Sequence, residues 1–400
     1  MLFRSKLADL DGMTSRNFVP LGVMPEGEAI ALIQTLCESK TTDAALVKQL
    51  VGLCGLLPLA LAIVGKLLEQ TDSLTLDEVI ADLSKERSRL RALKYVGSNN
   101  QIDARLDVEA SFNLSYVRLN ESQRELFEAV AVLRGRDFGR ELAAVLVERE
   151  EPEVRRELDQ LVALQLVQWE AGRYGLHDLV RDFGRGKLGA ERENALTEVA
   201  LDWYVVMADQ MDNFLRCNAE IESTQTVSGL SWFEIEWLNI LEGIRWAKLT
   251  ERAAVAIKLF TCAQVFAMLQ GKRTKRFLTS GKEALAAAQK AGDRLGEANT
   301  LRAIGDVLQF LKQSQEALNR YETAIEIYRQ VGARLGEANT LKAIGDVLQF
   351  LDQRQEALNR YETAIEIYRQ VGDRLGEANT LKAIGDVLQF LKQSQEALNR

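Results

Sequence analysis

Few residues in this chain of 400 are suited to chemistry. There is one histidine, His177, so a multi-histidine metal site and a two-histidine acid–base pair are excluded by count. Cys37, Cys54, Cys217 and Cys262 form no C-x-x-C pair and lie far apart, which reads as reduced core thiols in a cytoplasmic protein. Phosphoryl chemistry would need G-x-x-x-x-G-K-[ST]. In that motif backbone N–H groups surround the phosphates, the lysine meets the outer oxygens and the hydroxyl holds Mg²⁺. Every Gly-Lys pair fails: Gly65-Lys66, Gly186-Lys187, Gly271-Lys272 and Gly281-Lys282 are followed by Leu, Leu, Arg and Glu. Gly184-Arg185-Gly186-Lys187-Leu188-Gly189 is a literal G-x-G-x-x-G. A dinucleotide site needs a strand before those glycines and a helix starting within them, whereas the preceding "DLVRDF" is helical and they end it. No residue earns a catalytic or metal-binding assignment, and binding is left as the work of this chain.

The elements that position the remaining polar groups are repeated. From about Asp293 to Arg400 one unit is written almost three times, and Gly305, Gly345 and Gly385 fix its period at 40 residues. Periods in that range mean stacked supersecondary units. In the second copy Ala338, Leu341, Ile344, Gly345 and Leu348 fall at i, i+3, i+4 spacing. After a polar break at Asp352-Gln353, Ala357, Leu358, Tyr361, Ala364, Ile365 and Tyr368 do the same. Each unit is therefore two amphipathic helices. Small residues at Gly345, Ala357 and Ala364 let them approach, with Leu and Tyr between them, and Gly372 stands where a helix C-cap needs positive φ.

With Leu341, Ile344-Gly345, Leu348, Ala357, Tyr361 and Ala364 at the small and large positions, the unit resembles the tetratricopeptide repeat in a longer form lacking the terminal proline. The resemblance implies a protein- or peptide-binding groove lined by first-helix positions that face away from the second helix. On this chain those are Asn299, Arg302, Asp306, Gln309 and Phe310 in the first copy. Asn339, Lys342, Asp346, Gln349 and Phe350 follow in the second, and Asn379, Lys382, Asp386, Gln389 and Phe390 in the third. Such a ladder suits an extended peptide or a helix carrying both charges and spaced apolar anchors. The alternative is that Phe310 and its copies pack between repeats and the polar groups are only solvated. Duplication copies useless residues as faithfully as useful ones, so recurrence alone does not choose.

Composition sets the outer limits. Hydrophobic residues make up 47% and charged residues 27%, which describes a globular chain, and only 4 prolines favour helix. A net charge of −8 argues against general nucleic-acid binding. No apolar run reaches the roughly 18 residues that span a bilayer, and "MLFRSKLADLDG" lacks the pattern of a signal peptide.

Earlier in the chain, Pro25 can open a helix, Asp43 can cap a second, Gly55 ends it, and Pro58 opens a third that is apolar nearly all round. "PLGVMPEGEAIALI" followed by "LVGLCGLLPLALAIVGKLL" resembles the helical part of the NB-ARC module of STAND-type signal-transduction ATPases. The resemblance implies an ADP/ATP switch, with Pro58 against adenine and Arg4 of "FRSK" as the sensor arginine. Read without it, Pro58 is a first-turn proline. Four helical patterns between Val108 and Ala163, then "LVQWEAGRYGL" as a hairpin around Ala171-Gly172, fit a winged helix. "LHDLVRDFGRGKL" resembles the Met-His-Asp motif closing the NB-ARC winged helix, which implies that His177 reaches the β-phosphate of ADP. Read without it, His177 is a structural histidine at a strand–helix junction. Residues 101–190 carry 13 Arg/Lys against 17 Asp/Glu, the wrong sign for a DNA reader.

"ENALTEVALDWYVVMADQMDNFL" reads as a long amphipathic helix and Ile221–Ser231 as a looser stretch. "WFEIEWLNILEGIRWA" resembles the element that opens the helical region of bacterial NB-ARC–TPR regulators, with Trp232, Trp237 and Trp246 as packing residues. Ser280–Gly292 reads as the second helix of a degenerate repeat. The expected architecture is mainly all-α. It comprises a helical NB-ARC subdomain (1–100), a winged helix with a small β-hairpin (101–190), a helical linker with degenerate TPR-like helices (191–290) and a TPR solenoid (291–400). Both termini read as cuts: the phosphate loop and acidic strand of the family are missing, and Arg400 falls mid-helix in an incomplete repeat whose uncapped face would favour self-association. The expected function is signal transduction through a protein or peptide partner, with a nucleotide-dependent switch if the missing phosphate-binding part is supplied. A winged-helix transcriptional regulator is the weaker alternative. ADP or ATP is the cofactor in the full-length family and none is expected as given.

Overall fold

Several helices start or stop where the sequence supplies a cap or a turn residue. The computed structural model describes residues 24–93, 109–217 and 224–398. Helices α1 (Glu26–Leu36), α2 (Ala44–Leu53), α3 (Pro58–Gln70) and α4 (Leu76–Leu93) come first. The Asp43 carboxylate caps α2, accepting from Ala45 N at 2.8 Å and Leu46 N at 3.2 Å. Gly55 and Leu56 turn the chain at φ 64 and 57, and Pro58 then fills the first position of α3, where its missing N–H costs nothing. Nearly every face of α3 is covered: Ala60, Leu61, Ile63, Val64, Leu67 and Leu68 are buried.

Next come α5 (109–116), α6 (Glu121–Ala131), α7 (Arg140–Val147) and α8 (Glu151–Ala163). Asn120 and Gln123 cap α6 reciprocally: Gln123 N donates to Asn120 Oδ1 at 2.8 Å, and Asn120 N donates to Gln123 Oε1 at 3.0 Å. Strands β1 (Gln168–Glu170) and β2 (Arg173–Gly175) pair antiparallel with Trp169 opposite Tyr174. The turn between them holds Ala171 at φ 50 and Gly172 at φ 82, the paired positive angles of a tight hairpin. Helix α9 (Asp178–Arg185) ends at Gly186, so the G-x-G-x-x-G run closes a helix as expected.

These elements form one of two compact units, residues 1–131 with 139–189; residues 132–138 with 190–400 form the other. In the second, α10 (Ala190–Cys217) and α11 (Thr224–Leu249) precede α12 (Ala253–Leu269) and α13 (Thr274–Ala291). The looser stretch expected over Ile221–Ser231 is instead helical from Thr224 onward. Its polar residues misled: Thr226 is buried, and a Cβ on Gly229 would stand 3.0 Å from Met211 O. That glycine is a close approach of α11 to α10. Within the element that resembles the opening of the helical region, Asn239 Nδ2 donates to Glu236 Oε2 at 2.6 Å and to the Asp137 carbonyl at 2.9 Å. Trp237 and Trp246 are buried, as packing residues should be.

The repeats follow as α14 (Arg294–Phe310) with α15 (Ser314–Val331), α16 (Arg334–Phe350) with α17 (Arg354–Val371), and α18 (Arg374–Leu398). Gly292, Gly332 and Gly372 cap helix ends at φ 68, 73 and 77. A Cβ on Gly305 would lie 2.4 Å from Tyr321 Cε1, and one on Gly345 would lie 2.4 Å from Tyr361 Cε1. Each glycine is thus the notch into which the tyrosine of the following helix seats. The third copy differs from the first two. α18 runs through Lys392, although the equivalent Lys312 and Asp352 turn the chain at φ 59 and 67.

Candidate functional site

The candidate site lies on the second unit and is built from the first helices of the repeats. Residues at i, i+3, i+7, i+10 and i+11 of α14 share one side, which is the spacing of Asn299, Arg302, Asp306, Gln309 and Phe310. Buried tyrosines hold the polar members. Tyr321 Oη donates to Asp306 Oδ1 at 2.7 Å, with Gln309 Oε1 at 3.3 Å. Tyr328 Oη donates to Asn299 Oδ1 at 2.8 Å. Asp306 Oδ2 further accepts from Gln264 Nε2 at 2.8 Å and Arg302 Nη1 at 3.2 Å.

The second copy repeats the pattern. Tyr361 Oη lies 2.8 Å from Asp346 Oδ1 and 3.1 Å from Gln349 Oε1, Tyr368 Oη donates to Asn339 Oδ1 at 2.7 Å, and Lys342 Nζ donates to Asp346 Oδ2 at 2.7 Å. Burial, reinforced by Asp306 and Asp346, pushes the Tyr321 and Tyr361 hydroxyls far above their ordinary range. Burial first, with Asp373 and Asp346 adding to it, moves Tyr368 up to about 12. These phenols are therefore permanent donors at neutral pH, and they fix the orientation of the amides and carboxylates on the groove side.

The aromatics stay open: Phe310 is 47% exposed and Phe350 65%. With Arg302, Asp306, Gln309 and Asp346 they line a cavity of ≈ 690 Å³. Gln264 and Met268 of α12, Arg216 of α10, and Lys312 also line it. Arg216, Gln264 and Met268 are not legible from the repeat pattern, because α10 and α12 carry no repeat, and Lys312 lies at the turn, off the first-helix ladder. The available signal was Gln264 itself, an amide in the apolar run "AAVAIKLFTCAQVFAML" that is nonetheless buried. Asn379, Lys382, Asp386, Gln389 and Phe390 are all exposed on α18, with the Arg354 guanidinium over the Phe390 ring.

The residues associated with nucleotide sit on the other unit. Pro58 is exposed at the start of α3. His177 is half-buried and caps α9, its Nδ1 accepting from Leu179 N at 3.3 Å. An imidazole accepting at Nδ1 is neutral with its proton on Nε2, consistent with burial holding it below its ordinary pKa. Arg4 lies outside the described residues. One proline and one imidazole donor, in a chain with no lysine–hydroxyl pair of the G-K-[ST] kind, do not make up a phosphate cradle.

The repeats are tetratricopeptide repeats: that family's model matches residues 278–330 and 336–400. The first match begins before Asp293 and so takes in most of α13. Among curated proteins, this chain is 27% identical over 329 residues to "Regulatory protein AfsR" of Streptomyces coelicolor, covering 76% of this chain and 32% of that protein. It is 32% identical over 216 residues to "Regulatory protein AfsR" of Streptomyces griseus, covering 51% of this chain and 21% of that protein. The chain thus spans a third or less of the length of these relatives. Among solved structures, a Signal Transduction ATPase with Numerous Domains protein with a tetratricopeptide repeat sensor, from Pyrococcus horikoshii, matches at 15% identity and a TM-score of 0.35. That match covers 94% of this chain and 58% of the other. Aspartyl phosphate phosphatase F of Bacillus subtilis matches at 10% identity and a TM-score of 0.32, covering 95% and 87%. Among the described residues no helix is long and apolar enough to cross a membrane.

Proposed function

We propose that this chain is a regulatory, signal-transducing protein that binds a protein or peptide partner through the groove of its repeat array. The observation that carries the reading is the pair Phe310 and Phe350, left open in one cavity beside polar groups that buried tyrosines hold in place. Large aromatics in a partly enclosed groove are the side chains that most often dominate binding energy. Similarity to proteins named as regulators agrees with the role. The test is capture of a partner from cell extract by the purified chain, followed by Phe310→Ala/Phe350→Ala. The partner should be lost while circular dichroism stays unchanged. A partner retained by a folded double variant refutes the groove.

In the longer proteins that the chain resembles, partner binding would be coupled to an ADP/ATP switch with Pro58, His177 and Arg4 on the nucleotide. The bound group would supply the charge to which the switch responds; here His177 would orient a donor toward it and Pro58 would pack on the base. Calorimetry of the purified chain with ADP should show weak or no binding, and Mg²⁺-ATP should not turn over. A micromolar constant abolished by His177→Ala would overturn that expectation.

A further inference from the structure

The first two copies of the repeat differ at only four positions: Asp293/Ala333, Arg302/Lys342, Lys312/Asp352 and Ser314/Arg354. The last two pairs sit at the turn between the helices of a unit, beside the aromatic that the next unit presents. At the second turn Asp352 and Arg354 form an ion pair, and the Arg354 guanidinium lies 3.6 Å from the centroid of the Phe390 ring. The cation lies against one face of that ring. At the first turn the position of Arg354 is taken by Ser314, which has no guanidinium to lay over Phe350, and Phe350 is the more open ring at 65% exposure against 47% for Phe390. Lys312 replaces Asp352 there, is exposed, and has no counter-ion among the described residues. Lys312 lines the same cavity as Phe310 and Phe350.

The balance of donors and acceptors gives the chemistry of the occupant. Asp306 already accepts from Tyr321, Gln264 and Arg302, and Asp346 from Tyr361 and Lys342. A cationic guest would meet carboxylates whose charge Arg302 and Lys342 already neutralise. The Lys312 ammonium offers three donors and awaits an acceptor. In a chain of net charge −8, the charge left over in this groove is positive. A volume of ≈ 690 Å³ falls in the range of pockets that take small ligands or a few side chains.

We propose that the junction of the first two repeats binds a short peptide segment that is both acidic and apolar, its apolar side chains on Phe310 and Phe350 and its carboxylate at Lys312. The next junction, where the Arg354 guanidinium lies on Phe390 and Asp352 stands in the place of the lysine, does not bind it. This rests on reading the array as a partner-binding surface and adds the partner's chemistry and the place.

The test uses the full chain. Short random peptides displayed on phage are selected on it, and the selected sequences are measured by calorimetry as synthetic peptides. They should carry Asp or Glu near Leu, Phe or Trp. Affinity should fall about tenfold in Lys312→Asp and in Phe350→Ala and stay unchanged in Phe390→Ala. Lys312→Asp/Ser314→Arg copies a turn that the second unit already folds, and it should remove binding. Adding Asp352→Lys/Arg354→Ser to that variant should restore binding, now sensitive to Phe390→Ala. Basic or uncharged selected peptides, or affinity indifferent to Lys312→Asp and Phe350→Ala, overturn the assignment while the array remains a binding surface. A selection that returns no peptide sensitive to Phe310→Ala/Phe350→Ala removes both.

Discussion

Gly345 and Gly385 occupy the same position in consecutive copies of one repeat, with the same residues around them in sequence. A Cβ on Gly345 would meet Tyr361 at 2.4 Å, whereas nothing lies within 4 Å of where a Cβ on Gly385 would be. The segments that follow also diverge. Residues 311–320 and 391–400 are the same ten amino acids, "LKQSQEALNR". The first turns at Lys312 and starts α15, while the second continues α18 as far as Leu398. In the first copy the turn comes with a docked second helix. Seating a tyrosine in a glycine notch, with Ala317, Ile325 and Tyr328 buried behind it, is what stabilises the left-handed residue at 312. Each such fully buried large side chain contributes roughly 1.5–3 kcal/mol relative to exposure.

The sharpest way to break the comparison is to fill both notches. Gly345→Val should destabilise the array by about 3 kcal/mol, because the new side chain overlaps a fully buried Tyr361. Gly385→Ala should instead be neutral or stabilise α18 by up to ~1 kcal/mol, since alanine is the better helix former in open space. Urea unfolding followed by circular dichroism measures both. Equal losses at the two sites would mean that Gly385 faces a partner that seats as Tyr361 does.

Raising the pH probes the same pairs more gently. Burial keeps Tyr321, Tyr328, Tyr361 and Tyr368 protonated above the ordinary phenol value of 10.0. The unfolded chain therefore loses its phenolic protons first. Stability from these groups is complete below about pH 10 and declines as pH rises beyond it; for Tyr368 the window runs from 10 to about 12. Absorbance of tyrosinate should rise late and together with loss of helix. Ionisation of the array tyrosines near pH 10 with the helices intact would show that the hydroxyls are not held as described.

The smallest effect comes from a cap. Asp293 and Asp373 accept from Gly296 N at 2.8 Å and Gly376 N at 3.1 Å, whereas the equivalent Ala333 of α16 offers no side-chain acceptor. Ala333→Asp should add ~1 kcal/mol, and the reverse change Asp293→Ala should cost as much. Calorimetric unfolding of the two variants checks the sign.

Much of this molecule is written locally. Asp43, Asn120, Pro58, Gly186 and the Ala171-Gly172 turn mark element ends by their own backbone and capping chemistry, and each does so in the structure. The repeat also announced itself, because a period of 40 residues with helical spacing on each half admits few other packings. Local signals failed where small or polar residues serve a neighbouring helix. Thr226 and Gly229 read as a loop because their burial against α10 is invisible from the strand of sequence that contains them. The candidate groove was half legible: the ladder Asn299, Arg302, Asp306, Gln309 and Phe310 followed from periodicity, whereas Gln264, Arg216 and Lys312 did not. Periodicity and capping chemistry, both local, specify most of the helices, several of their ends and the residues that each repeat turns to one side. Packing settles that Tyr321 and Tyr361 seat in the Gly305 and Gly345 notches, which aromatics stay open, and that buried tyrosines hold the groove's carboxylates, because each depends on a side chain arriving from another helix.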